Sequence, residues 1–209
     1  VVMQKQILKT GLSFLGNHGL TSWWKFPNLT QYFCEFNLES YQDFLFDSFG
    51  ICFPDTVKKS VIKRRSEFLA GRYCAHEALA KLEQFPTCVD VGKQREPLWP
   101  AGIMGAISHT TGLATAIVSS DPKVLGLGID VEITVDPETM DKIGKHILPL
   151  EHFALLNQEG LQPNEVFTLI FSVKESFYKA AYPRVQRYFD FGAVNVVSFD
   201  QENQRISFR

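Results

Sequence analysis

The strongest constraint on this chain is the stretch LGLGIDVE, Leu125–Glu132, and the two residues after it. Ile129, Val131 and Ile133 alternate there with Asp130, Glu132 and Thr134. Period two belongs to a β-strand, so the pattern predicts a strand carrying Asp130 and Glu132 on one face, close enough to share one cation. A solvated edge strand would also carry two acids, but Gly126 and Gly128 lead in and apolar residues fill the opposite face. Further on, FSVKESFYKA, Phe171–Ala180, reads as helix and sets Glu175 and Lys179 at i, i+4, off one side. If that side faces the strand, three carboxylates and an ammonium meet, which is a magnesium and phosphate site.

At 209 residues the chain suffices for one large domain or two small ones. Its net charge of -2 gives no global pull towards nucleic acid, so any anion site must be local. No apolar run approaches a membrane span and no signal peptide is expected. Cys34, Cys52, Cys74 and Cys88 form no CxxC pair. Reduced thiols in a cytoplasmic protein are therefore expected, without a disulfide frame or zinc site; a monomer is the separate expectation.

The first fifty-odd residues are dense in aromatics, among them Trp23, Trp24, Phe26 and Phe46, read as core or the wall of a groove. Tyr32, Cys34, Phe36 and Leu38 alternate as a half-buried strand. Asp55 is the expected cap of a helical region from Thr56 to about Leu82, continuous or broken near Gly71. Of its basic residues, Lys58 and Lys59 read as a solvated face. Arg65 and Arg72, seven apart and flanking Ala70 and Gly71, are the candidates for an anion pocket, because guanidinium grips phosphate in a fixed fork.

After Pro86 come short strands and turns. Lys93, Arg95, Pro97, Trp99 and Pro100 make a proline-stiffened loop with two cations, pre-ordered for clasping a ligand. Ile103–Ser108 and Leu113–Ser119 read as strands around a turn at Thr110–Gly112. Asp121-Pro122-Lys123 divides the chain into halves 1–122 and 123–209. In the second half, Pro137–Leu148 and Pro149–Gln158 read as short helices. The longest helix follows Pro163 and is expected to stop near Pro183, before a terminal hairpin around residues 200–204. The fold class is α+β.

Two common chemistries fail on context. Gly126-Leu127-Gly128 begins a dinucleotide fingerprint, yet it precedes a strand, and Val131 stands where the third glycine belongs. Ser108-His109 suggests a serine nucleophile, but the GxSxG flanks are absent and adjacent strand residues face opposite ways. Magnesium-assisted phosphoryl transfer suits the residues better. Asp130, Glu132 and Glu175 are hard oxygen donors, Lys179 offsets charge on a moving phosphoryl group, and Arg65, Arg72, Lys93, Arg95 and His109 add anion contacts.

At this point the sequence resembles a known family, the phosphopantetheinyl transferases of the Sfp/EntD type. The resemblance rests on GIDVE (128–132), FSVKESFYKA (171–180), PLWPAGIMGAISHT (97–110) and RRSEFLAGR (64–72), in the family's order. Tryptophan-proline at 99–100 with LAGR before it is most similar to the subgroup serving siderophore synthetases. The resemblance implies two similar α+β halves with the active site in the cleft between them. It implies transfer of the 4'-phosphopantetheine arm of coenzyme A to a serine of an apo carrier domain, with Mg²⁺, releasing adenosine 3',5'-bisphosphate. Asp130, Glu132 and Glu175 would be metal ligands, Glu175 would take the serine proton directly or through a metal-bound water, and Lys179 would be the catalytic cation. Lys174 lies in the same motif, with solvent as its simplest alternative. Ser108 and His109 match the segment on the coenzyme A phosphates. Arg65, Arg72, Lys93, Arg95 and Pro97 lie where the family holds the 3'-phosphate end. The rival readings are a Mg²⁺ phosphohydrolase with the same acids and a non-catalytic interaction protein.

Overall fold

The structure is a computed structural model describing residues 13–21, 28–83, 88–147, 160–188, 191–200 and 202–209. The expected helix Pro149–Gln158 and the aromatics Trp23, Trp24 and Phe26 lie outside the described residues. The chain divides into two compact units, Val1–Val131 and Glu132–Arg209. Among the described residues no helix is long and apolar enough to cross a membrane.

The first unit is built on an antiparallel sheet of β1 (Leu15–Leu20), β2 (Leu29–Phe36), β5 (Met104–Thr110) and β6 (Leu113–Ser119), in the order β1-β2-β6-β5. The β5–β6 hairpin turns at Thr111-Gly112, where Gly112 takes φ +74°, a left-handed conformation that suits glycine. Two short helices, α1 (Leu45–Ser48) and α2 (Asp55–Lys58), lead into the long α3 (Ile62–Lys81). The helical region is thus broken at residues 59–61 and not at Gly71. Asp55 is the first helical residue and Pro54 takes the cap position.

Helix α3 lies close to the sheet because its inward stripe is small: Ala70, Gly71, Cys74, Ala75 and Ala78. A Cβ on Gly71 would sit 2.8 Å from the Ile107 side chain, so only glycine allows that approach to β5. The aromatics of the first segment fill the rest, with Phe14, Tyr32, Phe36, Tyr41 and Phe46 all buried and Phe46 stacked on Phe53 at 3.9 Å. Among the described residues most of those rings are core, and Phe44 is exposed.

The cysteines depart from expectation. Cys34 and Cys74 are free and buried, 3.4 Å apart between sheet and helix, and burial pushes the Cys74 thiol up, which keeps it protonated. Cys52 and Cys88 instead form a disulfide, with Cα atoms 5.7 Å apart. Thirty-six residues separate them, and the packing of both flanking loops around α3, which no spacing rule reveals, brings them together.

On the same face of β5 the sheet meets a second close approach. A Cβ built on Gly105 would lie 2.7 Å from the Trp99 ring and 2.9 Å from the Ile117 carbonyl. Gly105→Ala should therefore cost about 1–3 kcal/mol through overpacking, seen as a lower denaturation midpoint. An unchanged midpoint would mean that both the Trp99 ring and the β6 backbone at Ile117 give way freely.

The second unit contains α4 (Pro137–Ile147), α5 (Pro163–Val185) and the hairpin β7 (Val196–Asp200) and β8 (Arg205–Phe208). Its core joins Val166, Phe167 and Ile170 of α5 to Val196, with Met140 and Ile206 packed against them. Helix α5 starts in a capping box: the Gln162 N–H donates to the Glu165 carboxylate at 2.8 Å, and Pro163 takes the first helical position. It does not end at Pro183, which lies inside its last turn. It stops at Gln186, in the left-handed conformation at φ 48°.

Candidate active site

Helix α3 carries Arg64, Glu67, Phe68, Gly71 and Arg72 at the i, i+3, i+4, i+7, i+8 spacing of one broad face. Here they wall a cavity of about 120 Å³. Strand β5 contributes Ile107 and His109, and the hairpin of β3 (Asp90–Val91) and β4 (Pro97–Leu98) contributes Arg95 and Pro97. Three guanidinium groups and an imidazole thus meet one carboxylate, and the balance is strongly positive.

Arg72 carries the largest electrostatic burden. It is only 7% exposed, lies 4.9 Å over the Phe68 ring, and donates from one Nη to the Asp90 carbonyl at 3.1 Å. Its buried Nε has no hydrogen-bond partner among the described residues. Burial first, and the nearby Arg64 second, push its pKa down to about 10, so it stays charged at neutral pH. A buried cation beside a like charge is costly, which makes the cavity a candidate for holding an anion.

Arg64 Nη1 lies 2.9 Å from His109 Nε2, and the Glu67 carboxylate lies 3.8 Å from His109 Nδ1 on the other side of the ring. Arg64 is the residue that sequence reasoning missed, because Arg65 was preferred on helical angle. The structure does not bring Arg65 to the cavity: it binds the Asp43 carboxylate at 2.8 and 3.1 Å and the Ser60 carbonyl at 2.8 Å. The lining spacing 64, 67, 68, 71, 72 is the signal that would have selected Arg64 instead.

Of the two cations in the loop, Arg95 reaches the cavity and Lys93 stays at the exposed tip. The hairpin turns tightly, Gly92 N–H donating to the Glu96 carbonyl at 2.8 Å and Arg95 adopting φ +69°.

Ser108 points to the other sheet face from His109, as the pleat requires. It is buried, donates from Oγ to Asp130 Oδ1 at 2.9 Å and accepts from the Val131 N–H at 3.2 Å. Ser108 thus anchors the acidic segment. That segment is not the strand predicted from its alternation: residues 124–136 form no regular secondary structure. A strand needs a ladder partner, which alternation alone does not supply, and Ile133 is itself exposed.

In the second unit Asn164 Nδ2 donates to the Val135 carbonyl at 2.9 Å, and Thr168 Oγ1 accepts from the Val135 N–H at 3.1 Å. The chain just beyond Glu132 is therefore pinned to the start of α5, the helix bearing Glu175 and Lys179. Both of these are half-buried, whereas Glu132 is exposed. Lys174 does not extend into solvent; it is 2% exposed, among the most buried side chains of the protein. Asp130 belongs to the first unit, Glu132 and Glu175 to the second. Among the described residues, no group of three or more His, Cys, Asp or Glu side chains is arranged to hold a metal ion.

Comparison with known proteins gives two family matches. The 4'-phosphopantetheinyl transferase N-terminal domain matches residues 54–119, which carry the cavity, and the 4'-phosphopantetheinyl transferase superfamily matches residues 126–209, which carry the acids and α5. The chain is 32% identical to the 4'-phosphopantetheinyl transferase Npt of Nocardia iowensis over 142 residues, 67% of this chain and 62% of that protein. It is 34% identical to the enterobactin synthase component D of Salmonella typhi over 131 residues, 63% of this chain and 54% of the relative. With that of Escherichia coli O157:H7 it shares 40% over 121 residues, 57% of this chain and 55% of the relative. The chain thus spans somewhat more than half the length of these relatives. Two domain matches in consecutive order, one on the cationic cavity and one on the acidic segment and its helix, place the chain in the 4'-phosphopantetheinyl transferase superfamily.

Proposed function

We propose that this chain transfers the 4'-phosphopantetheine arm of coenzyme A to a serine of an apo carrier domain, leaving adenosine 3',5'-bisphosphate. The observation that carries the reading is the cavity of Arg64, Arg72, Arg95 and His109 in a protein of net charge -2. Its size and charge suit a phosphomonoester, and coenzyme A carries one at the ribose 3' position.

Asp130, Glu132 and Glu175 fit Mg²⁺ by donor type, since all offer hard carboxylate oxygens, and we assign them to hold it. When bound, the ion neutralises charge on the diphosphate. The Glu175 carboxylate takes the proton from the carrier serine hydroxyl, whose oxygen bonds to the pantetheine-side phosphorus. The bond from that phosphorus to the bridging oxygen breaks, and the bisphosphate leaves with the electron pair. Lys179, one helical turn on, offsets charge as it develops. Two similar halves with a cleft between them form part of the same proposal, as does a monomeric state. The names of the enterobactin relatives favour a peptidyl or aryl carrier of a siderophore synthetase. A cytoplasmic location also belongs to it, although the Cys52–Cys88 bond removes part of the thiol argument for that compartment.

The test is mass spectrometry of apo carrier domains after incubation with the protein, coenzyme A and Mg²⁺. The expected result is one phosphopantetheine added to the carrier serine. Hydrolysis of coenzyme A without a carrier, and no adduct with one, would overturn it in favour of a phosphohydrolase.

A further inference from the structure

The Glu67–His109–Arg64 array has a polarity that its geometry fixes. Guanidinium is a donor only, so at 2.9 Å Arg64 Nη1 must donate to His109 Nε2, which then carries a lone pair. The ring proton of His109 is accordingly on Nδ1. On that side lies the Glu67 carboxylate at 3.8 Å, beyond hydrogen-bond length but within ionic reach, and it is only 13% exposed. Among the described residues that line the cavity, the other charges are Arg72 from α3 and Arg95 from the β3–β4 hairpin, while Lys63 lies 3.9 Å from the other Glu67 oxygen.

A carboxylate in an anion cavity is at first sight misplaced, because it weakens the field that attracts phosphate. It gains a purpose if it sets the ring. Neutral histidine in water favours the Nε2–H form, which would turn an N–H towards the Arg64 guanidinium and push it away. We infer that Glu67 is a positioning residue: by favouring Nδ1–H it makes His109 the acceptor that orients Arg64 for a phosphomonoester. Glu67 then acts on the ligand through two other side chains and without touching it. This rests on the phosphate reading of the cavity given above, and the test separates the two.

The first measurement is ¹⁵N NMR of the histidine side chains at about pH 8, with His109 assigned by the signal lost in His109→Gln. The expected wild-type ring is neutral and protonated at Nδ1, and Glu67→Gln shifts it towards Nε2–H. The second is the affinity ratio of coenzyme A to 3'-dephospho-coenzyme A, expected to fall about tenfold in Glu67→Gln, the loss of one well-oriented charged hydrogen bond. KM for coenzyme A should rise more than kcat falls, and Glu67→Asp should restore part of the ratio. An Nε2–H or doubly protonated ring in the wild type would overturn the inference, whatever Glu67→Gln does. So would an unchanged ratio in Glu67→Gln when the wild type discriminates. Equal binding of the two ligands by the wild type would remove the phosphate reading itself, and the inference with it.

Discussion

Glu175→Gln should lower kcat about a thousandfold while leaving the fold intact. A general base contributes roughly 10²–10⁴ to such a transfer, and the amide keeps the size of the side chain but can neither take a proton nor bind a cation as strongly. Glu175 is half-buried on α5 and does not belong to the apolar cluster that holds the second unit together, so circular dichroism should be unchanged. The companion substitution is Asp130→Asn, chosen over alanine for a structural reason. Asn retains the oxygen that accepts from Ser108 at 2.9 Å, so the anchor of the acidic segment survives and only the charge is lost. A comparable fall in kcat would then report charge and not misfolding. If either variant kept more than a tenth of wild-type turnover, the assignment of these acids would fail.

The second large effect concerns the cavity. Arg64→Ala and Arg72→Ala together should raise KM for coenzyme A by about 10²–10⁴, since each charged contact to phosphate is worth roughly 1.5–3 kcal/mol. The loss should shrink with dephospho-coenzyme A and with added salt. Arg65→Ala is the control that separates structure from sequence. Its guanidinium is committed to Asp43 and Ser60, so KM should not change and a small stability loss should appear instead. If Arg65→Ala weakened coenzyme A binding as much as Arg64→Ala, the cavity would not be the phosphate site. Arg72→Ala also removes packing on Phe68 and the bond to the Asp90 carbonyl, so its stability should be measured beside its KM.

Local pattern sufficed where neighbours in sequence are neighbours in space. The β5–β6 hairpin was legible from alternation and its glycine turn, and α4 and α5 from their periodicity and prolines. The family resemblance was legible in short motifs, and the family matches fall on the same stretches.

What the sequence determined by itself is the set of chemical groups: hard carboxylates at 130, 132 and 175, a helix with Glu175 and Lys179 on one side, and three arginines between positions 64 and 72. Only the tertiary structure decided which of them meet. Arg64 and not Arg65 lines the cavity because Asp43, 22 residues away, draws Arg65 off. The acidic segment is held by the Ser108 hydroxyl and not by a strand ladder. Cys52 finds Cys88 because two loops pack around one helix. Each of these outcomes depends on a long-range partner, and a side chain's partner follows from the folded packing of the chain, which periodicity along one element does not encode.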